Sequence, residues 1–339
     1  MATIKDVAAK VGVSVSTVSY ALNGTRPISA EKKELILKVA RELRYSPRAI
    51  ARSLASKRTH IIAMLFPAVE RGLGLSEIDL ITRAAKEAMG HGYHLVIWTL
   101  QTGDEDELRE LLAQELVDGI ILMEVHKRDW RIAMLKEMGV PFIILGRDDS
   151  ASMESYIDVD FFDTMMRCIS YLKGLGHWHI DFINQSEKSF QDGYGPVVHT
   201  HEAFHYFCDN FGIDGKEYFC GWEIETVRDC IESLLAERSE TSACIVMNDK
   251  ALTGIIAGIT GRGLRIPEDI SLISIISSAG AASFFLPALT AFEMDINAMM
   301  DAAISQLIAK IEGRYVELST RLIPCILRER NSAGMARTR

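Results

Sequence analysis

From His60 onward, short apolar runs alternate with longer amphipathic stretches, and this alternation limits the folds open to the chain. The runs have the length of buried strands, and the stretches have the period of helices packed on one face. Predicted strands are Ile61–Phe66, Leu95–Trp98, Gly119–Met123, Phe142–Leu145, Ile180–Ile183, Ala243–Met247 and Leu272–Ile275, and predicted helices include Ile78–Met89, Glu105–Glu115, Phe161–Leu172 and Ala251–Thr260. The pattern favours two parallel sheets flanked by helices, with a binding crevice at the carboxyl ends of the strands.

The first 46 residues show a different pattern, typical of three short helices. Thr3 is placed to cap the first helix, with Asp6 in position for a capping box, and Gly12 ends that helix. Ser14 begins a second helix and Ser29 a third. Two short helices joined by a tight turn with glycine, and supported by a third helix, form a helix-turn-helix.

Charge is divided unevenly along the chain. Residues 1–58 carry twelve basic and four acidic side chains, a local charge of +8, so the total of −9 leaves −17 for the other 281 residues. A basic head on an acidic body indicates that the head binds a polyanion such as DNA. The exposed face of the second helix carries Val15, Ser16, Ser19 and Tyr20, which are able to approach bases or phosphates in a major groove. The alternative is a small helical cap that binds nothing.

Other features exclude several classes of protein. The sequence contains no run of eighteen uncharged apolar residues, so no membrane span is predicted. The first residues lack the pattern of a secretory signal. We therefore expect a cytoplasmic protein that does not enter the membrane. Six cysteines without a Cys-x-x-Cys pair predict reduced core thiols, namely Cys168, Cys208, Cys220, Cys230, Cys244 and Cys325.

The head also contains a long composite signature. Its pieces are Asp6-Val7-Ala8, Gly12-Val13-Ser14, Thr17-Val18-Ser19, Leu22-Asn23, Tyr45 with Pro47, and Ala51 with Leu54 and Ala55. Together they resemble the headpiece and hinge of the LacI (lactose/galactose repressor) family of bacterial transcription regulators. The resemblance implies that operator bases are contacted by Val15, Ser16 and Tyr20. It implies that the DNA backbone is contacted by Ser14, Thr17, Ser19 and Asn23, and Thr3 joins this DNA-binding set.

The hinge is expected at residues 47–58. Arg48 to Ala55 has a helix-forming composition, but a helix of this length is marginal alone in water. The resemblance implies that the paired hinge helices of a homodimer enter the minor groove at the centre of the operator. There Leu54 acts as an apolar wedge, with Arg52 and Lys57 against the phosphates. The alternative is an ordinary interdomain linker.

The resemblance extends through the remainder of the chain. Pieces such as Val117-Asp118-Gly119, Leu175-Gly176-His177 and Ile266-Pro267-Glu268 are similar to the family's effector domain. The resemblance implies a core of residues 59–330, with one lobe of about 59–159 and 292–320, a second of about 160–291 and 321–330, and a tail at 331–339. The predicted fold class is an all-α helix-turn-helix headpiece plus an α/β core with two lobes of parallel sheet, like a periplasmic binding protein.

The crevice departs from the family's sugar-binding pattern. Thr200 stands at an arginine position, and Ile276 replaces an acidic residue. A site without these bidentate groups is poorly equipped for a polyhydroxylated sugar. A less polar effector, a sugar bound in another way and the absence of an effector all stay open. The candidate effector-binding residues are Arg147, Thr200, Trp222, Asn248 and Ile276.

One motif points to a different chemistry. His201-Glu202-Ala203-Phe204-His205 spells the H-E-x-x-H of zinc peptidases, in which two histidines share a helix face and the glutamate acts as a base. Glu223 or Glu225 would be a third ligand. The favoured interpretation is an ordinary helix, because the segment overlies a Glu-Gly-Phe of the family's core. Whether His199, His201 and His205 bind a metal or an anion stays open, and no cofactor is predicted.

The sequence therefore predicts a DNA-binding transcription regulator that is not an enzyme. As a homodimer it would bind a pseudo-palindromic operator on double-stranded DNA, with repression favoured over activation. A small-molecule effector would modulate it. The alternatives are an effector-independent regulator, a solute-uptake binding protein, and a zinc metallopeptidase that uses His201, Glu202 and His205.

Overall fold

The structure is a computed structural model that describes residues 2–23, 26–43, 45, 58–67, 73–100, 104–148, 154–247, 249–315, 317 and 319–337. The chain divides into two compact units. One consists of Met1–Ile61 with Gln114–Asp118, and the other of Ile62–Ala113 with Gly119–Arg339. Among the described helices, none is long and apolar enough to cross a membrane.

The first unit contains the predicted helix-turn-helix, which is confirmed. Its helices are α1 (Ile4–Val11), α2 (Val15–Asn23) and α3 (Ala30–Glu42). They share a small core made of Val7, Ala8, Val18, Ala21, Ile36, Val39 and Ala40. The core-facing stripe of α3 begins at Ile36, and the preceding Leu35 is 48% exposed.

The turn between α1 and α2 is set by local hydrogen bonds. The backbone of Gly12 is left-handed, with φ of 75°, and its N–H donates to the Ala8 carbonyl. The Ser14 hydroxyl accepts from the Thr17 N–H at 3.1 Å and so caps α2. At the start of α1, the Asp6 carboxylate accepts from the N–H and hydroxyl of Thr3, and these bonds lower the pKa of Asp6.

Within the described residues, the second unit is built on two six-stranded sheets. The first, in the order β11-β5-β4-β3-β1-β2, consists of β1 (Ile61–Pro67), β2 (His94–Leu100), β3 (Gly119–Leu122), β4 (Phe142–Leu145), β5 (Tyr156–Val159) and β11 (Thr320–Ile323). The second, in the order β12-β10-β9-β8-β6-β7, consists of β6 (Ile180–Asn184), β7 (Glu217–Phe219), β8 (Ala243–Val246), β9 (Ser271–Ser277), β10 (Thr290–Glu293) and β12 (Ile326–Arg328). We call the halves of the unit built on these sheets the first lobe and the second lobe.

Helices connect the strands in each lobe. They are α4 (Leu75–Gly90), α5 (Glu105–Ala113), α6 (Trp130–Glu137), α7 (Phe161–Gly174), α8 (Glu187–Gln191), α9 (Gly195–Phe211), α10 (Ile224–Glu237), α11 (Leu252–Gly261), α12 (Ala279–Ser283) and α13 (Ile296–Ile311). The seven predicted strands and four predicted helices are all present; Phe142–Leu145 has the predicted ends, and the others differ by a few residues. Pairing is parallel between β1, β3, β4, β5 and β11 and between β6, β7, β8, β9 and β10, whereas β12 is antiparallel to β10. The fold class predicted from the sequence is therefore confirmed.

The chain passes between the lobes three times: between β5 and α7, between β10 and α13, and between β11 and β12. The last passage follows Ile323, whereas the sequence analysis ended this part of the first lobe at about residue 320. The tail segment 331–337 packs on the second sheet. There the fully buried Ser332 accepts from the Leu272 N–H through its carbonyl and donates to the Leu272 carbonyl through its hydroxyl.

The expectation of six reduced thiols is wrong for one pair. Cys220 and Cys230 form a disulfide, with their Cα atoms 6.7 Å apart. Cys220 follows β7 and Cys230 lies on α10, ten residues later. The turn between this strand and this helix brings the two cysteines together. The other four cysteines are buried free thiols, and burial raises the pKa of Cys208 to about 12.

Candidate functional site

The predicted DNA-binding residues cluster at the start of α2. Ser14, Val15 and Ser16 are exposed, and Thr17, Ser19 and Tyr20 are partly exposed. The Ser14 hydroxyl lies 2.8 Å from the hydroxyls of both Ser16 and Thr17, so three hydroxyl groups form one polar patch. Val15 stands beside them with 41% of its surface exposed. Thr3 is exposed at the start of α1, and Asn23 is the last residue of α2.

Arg26 is a residue near this surface that the sequence analysis did not select. Its guanidinium lies 5.1 Å from the centre of the Tyr20 ring, at the distance of a cation–π contact. The pair places a positive charge beside the exposed face of α2. The sequence showed only that the head is rich in basic residues, and this composition does not single out Arg26. The predicted hinge residues Arg52, Leu54 and Lys57 lie outside the described residues.

A cavity of about 120 Å³ lies between the two lobes of the second unit. It stands at the predicted place, because its wall includes residues at the carboxyl ends of strands from both sheets. The apolar part of the wall consists of Leu80, Met123, Val125, Leu145, Val159, Phe161, Tyr194, Pro196, Met247, Ile276, Met294 and Met299. The wall is therefore mostly apolar, and four of its side chains are flexible methionines.

Two wall residues have a strained backbone. Glu124, after β3, has φ of 53°, and Ile276, at the end of β9, has φ of 58°. A left-handed backbone is uncommon outside glycine, and it is least favourable for a β-branched residue such as isoleucine. Strain of this kind costs about 1–3 kcal/mol and concentrates at ligand sites. Both strained positions border the cavity, one in each lobe.

Four carboxylate side chains also line the cavity: Glu77, Glu124, Asp158 and Asp249. The sequence analysis missed all four, although Asp249 directly follows the predicted residue Asn248. Arg147, predicted to line the cleft, lies behind Asp158, with 3.7 Å between its Nε and Oδ2. The same Nε donates to His199 Nε2 at 2.9 Å, and Arg147 is absent from the described wall. With Ser76 and Gln185, the four carboxylate side chains form the polar part of the wall, whose charged members among the described residues are all acidic.

The other predicted effector-binding residues have varied positions. Ile276 is in the cavity wall. Thr200 is not: it is fully buried one helical turn behind Pro196, and its hydroxyl donates to the Pro196 carbonyl at 2.7 Å. Trp222 is partly buried after β7 and is absent from the described wall, because β7 is the edge strand farthest from β10 and β12 in its sheet. Asn248 lies outside the described residues.

A buried ion pair supports the first-lobe wall. Arg131 on α6 donates to both carboxylate oxygens of Asp129, at 2.8 and 2.6 Å, and to the carbonyls of Met123 and Glu124, both at 3.0 Å. Burial opposes ionisation of Asp129, but the hydrogen bonds and charge of Arg131 outweigh it and lower the pKa of this carboxyl. The arginine thereby fixes the backbone that carries the strained Glu124.

Polar contacts join the two lobes around the cavity. The Ser76 N–H donates to Asp249 at 3.2 Å, and the Ser76 hydroxyl accepts from the Ser278 N–H at 2.9 Å. On the other side of the cavity, Lys127 and Glu202 form an ion pair at 2.9 Å. The base that the peptidase alternative requires is thus engaged with a lysine of the other lobe, which weighs against that alternative.

Two protein-family models match the chain. The one described as bacterial regulatory proteins, lacI family, matches residues 3–48, and the periplasmic binding protein-like domain matches residues 169–333. Relatives called HTH-type transcriptional repressor PurR match over nearly the full length. The protein from Pasteurella multocida is 29% identical over 325 residues, 94% of each chain. That from Erwinia tasmaniensis is 29% identical over 343 residues, 98% of this chain and 97% of its own.

Solved structures show the same fold. The lac repressor dimer bound to operator and the anti-inducer ONPF is similar with a TM-score of 0.79 and 23% identity, covering 98% of this chain and 99% of that one. The complex of the regulator CelR with cellobiose has a TM-score of 0.71 and 22% identity, covering 98% and 100%.

A helix-turn-helix domain followed by a two-lobed α/β domain with a cavity between its lobes defines a DNA-binding transcription regulator. The chain combines a helix-turn-helix domain that matches the lacI family of bacterial regulatory proteins with a periplasmic binding protein-like domain.

Replacing Arg131 should destabilise the first lobe. We expect Arg131→Leu to lower the free energy of unfolding by about 3–5 kcal/mol, because it leaves the Asp129 carboxylate buried without its cation. Urea unfolding monitored by circular dichroism measures the change. The control is Arg109→Leu, which removes an exposed ion pair with Glu137 and should cost about 1 kcal/mol or less.

The same experiment has a dependence on pH. The pKa of Asp129 is lower in the folded protein than in the unfolded chain, so the pair stabilises the protein fully above the unfolded value and loses this effect as pH falls through the folded value. The difference between wild type and Arg131→Leu should therefore shrink in acid. Equal losses in the two variants at neutral pH would contradict the assigned role.

Proposed function

We propose that this chain is a repressor that binds a pseudo-palindromic operator as a homodimer, and that a small molecule in the cavity changes its affinity for DNA. The observation that carries the proposal is the exposed first turn of α2, where Val15 and three hydroxyl side chains stand together. Short side chains at the start of a recognition helix allow the helix to approach base edges closely. The relatives called transcriptional repressors support this role.

The DNA contacts divide into two kinds. Val15 offers an apolar contact of the kind that recognises a thymine methyl group, whereas the hydroxyls of Ser14 and Thr17 suit phosphate oxygens. Tyr20 lacks the paired donors with which an arginine recognises guanine. Its neighbour Arg26 supplies charge at this position. We infer that recognition of the operator half-site depends less on a guanine contact at this position than it would with an arginine in place of Tyr20.

A stripe on α4 supports a homodimer. Leu75, Ile78, Thr82, Ala85 and Met89 follow one another at spacings of three and four residues, so they share one face of the helix. Leu75 is 40%, Ile78 46% and Met89 64% exposed. The helix packs on the edge strand β2, where Ile97 is also exposed. An exposed apolar stripe beside an unpaired sheet edge fits a second copy of this chain, and two headpieces are needed for two half-sites.

The cavity indicates the chemistry of the effector. Apolar walls with four carboxylate side chains fit a ligand that has an apolar body and carries hydrogen-bond donors or a positive charge. A cavity of about 150 Å³ holds one benzene-sized ring in another protein, which sets the scale for this one. The cellobiose in the CelR complex belongs to that protein. The ligand contacts both lobes, so its binding shifts the equilibrium between lobe arrangements that differ in affinity for DNA.

The operator is found by selecting bound duplexes from a random DNA pool. We expect a pseudo-palindrome, and Val15→Ala should bind the selected site about tenfold more weakly, because it loses one apolar base contact. Binding to unrelated DNA should change little, since phosphate contacts dominate there. The control is Leu35→Ala, which trims an exposed apolar residue of α3. Selection of no common sequence, or equal losses on both DNAs, would overturn the assignment of this surface.

The dimer surface is tested by charge. Ile78→Glu places a carboxylate in the α4 stripe, so the variant should sediment as a monomer at concentrations where the wild type is a dimer. The control Tyr206→Glu introduces the same charge at a side chain that is 53% exposed on α9. A monomeric wild type, or a dimer unaffected by Ile78→Glu, would place the contact elsewhere.

The effector class is tested with matched ring compounds. We expect amine-bearing rings to raise the midpoint of thermal unfolding, and carboxylate-bearing rings of the same size to leave it unchanged, because the wall is acidic. Asp249→Asn should weaken the response, whereas the exposed Asp229→Asn should not. A response to the carboxylates alone would refute the inferred chemistry.

A further inference from the structure

A cluster of metal-ligating side chains lies in the second lobe. His201 and His205 on α9 meet Glu217, the first residue of β7. The Oε2 of Glu217 is 2.5 Å from His201 Nδ1 and 3.0 Å from His205 Nε2. Each residue offers one ligand atom, and the three atoms lie within 4.8 Å of one another.

Secondary structure explains why these residues meet. The two histidines are four positions apart, so they lie one turn apart on the same face of a 17-residue helix. Strand β7 pairs in parallel with β6, and α9 packs against β6. The third ligand thus comes from a strand, and Glu223 and Glu225, the third ligands considered from the sequence, are not part of the cluster.

Surrounding residues hold the ligands in place. Asn184, which is fully buried, donates to Glu217 Oε1 at 2.7 Å and leaves Oε2 for the imidazoles. The ring of His201 packs against Phe190, with 4.6 Å between ring centres, and against Phe219. Hydrogen bonds to the outer atoms of ligands orient them toward a metal, and their loss commonly costs about 10–100-fold in affinity.

Burial and exposure divide the cluster into an inner and an outer side. The Glu217 side chain is only 4% exposed, whereas those of His201 and His205 are 30% and 49% exposed. A buried carboxylate is costly unless positive charge or hydrogen bonds compensate it. A cation between the three ligand atoms would compensate it directly and would keep one side open to water.

We propose that His201, His205 and Glu217 bind one divalent transition-metal ion of the zinc class. Two imidazole nitrogens and one carboxylate oxygen are ligands that zinc prefers, and calcium and magnesium favour oxygen alone. At zinc–ligand distances of about 2.0–2.2 Å, tetrahedral ligand atoms lie about 3.4 Å apart. The distance from the Glu217 oxygen to each nitrogen therefore needs to increase by less than about 1 Å when the metal binds. Water takes the fourth position.

The site binds a metal without peptidase machinery. Glu202, the glutamate of the H-E-x-x-H motif, is paired with Lys127 of the first lobe. The metal instead links α9 to β7. Because the wall residue Pro196 also belongs to α9, the ion stabilises the helix that carries part of the second-lobe cavity wall.

A second cluster in the same lobe provides a matched control. His179, Asp214 and Glu240 also bring three ligand atoms within reach of one another. In that cluster Arg238 donates to Asp214 at 3.0 Å and lowers its pKa, so a cation of the protein already occupies the carboxylate. The Asp214 side chain is 55% exposed. We therefore assign the metal to the Glu217 cluster.

The test titrates zinc into the full-length, untagged chain after treatment with a chelator. Calorimetry should show one zinc ion per chain. His205→Gln should weaken binding about 100-fold or more, because it removes a ligand rather than an outer contact. His179→Gln should leave the affinity within about threefold of the wild type. Zinc should raise the thermal midpoint of the wild type and of His179→Gln, but not that of His205→Gln.

Two further measurements keep the test decisive. Circular dichroism shows whether His205→Gln, a change at a half-exposed side chain, retains the fold. Glu217→Gln provides a second variant, since its amide oxygen still accepts the bond from Asn184 while the negative charge is lost. Absence of zinc binding by the wild type, or loss in His179→Gln with retention in His205→Gln, would overturn the proposal. None of these measurements uses DNA, so they are independent of the proposed repressor function.

Discussion

Parallel pairing of strands determines where this protein is able to bind a ligand. In a parallel sheet every strand ends at the same edge, so the loops that follow the strands collect there. Here two such sheets direct those edges toward one another, because the chain passes between the lobes three times. The cavity, the strained residues Glu124 and Ile276 and the support from Arg131 all depend on this arrangement.

The two lobes share apolar contacts as well as polar contacts around the cavity. One cluster of buried aliphatic and aromatic side chains includes strands of both sheets, and polar pairs such as Ser76 with Asp249 and Lys127 with Glu202 join the lobes as well. The Lys127–Glu202 pair is largely exposed and contributes about 0–1 kcal/mol, whereas the bond between Ser278 and Ser76 is buried.

Sequence patterns predicted the features that depend on residues close together along the chain. The period of the apolar residues located the strands, and caps such as Ser14 located the helix-turn-helix, because both signals act within a few residues. The wall of the cavity was predicted poorly. The acidic residue Glu77 reaches it only when distant segments come together, and Thr200 faces Pro196 because of a hydrogen bond within its own helix. The place of Glu217 beside two histidines likewise follows from the register of β7 on β6, which no local pattern encodes.

Both lobes are discontinuous along the chain, and this has a consequence for synthesis. The edge strand β11 of the first lobe and the edge strand β12 of the second are separated only by the residues between Ile323 and Ile326. Ser332 then completes the second sheet beside Leu272. On the ribosome, the helix-turn-helix emerges before the two lobes and is able to fold before them. Both lobes need the same short segment to complete their sheets. The nascent chain therefore completes the two lobes at nearly the same time, long after it has completed the helix-turn-helix.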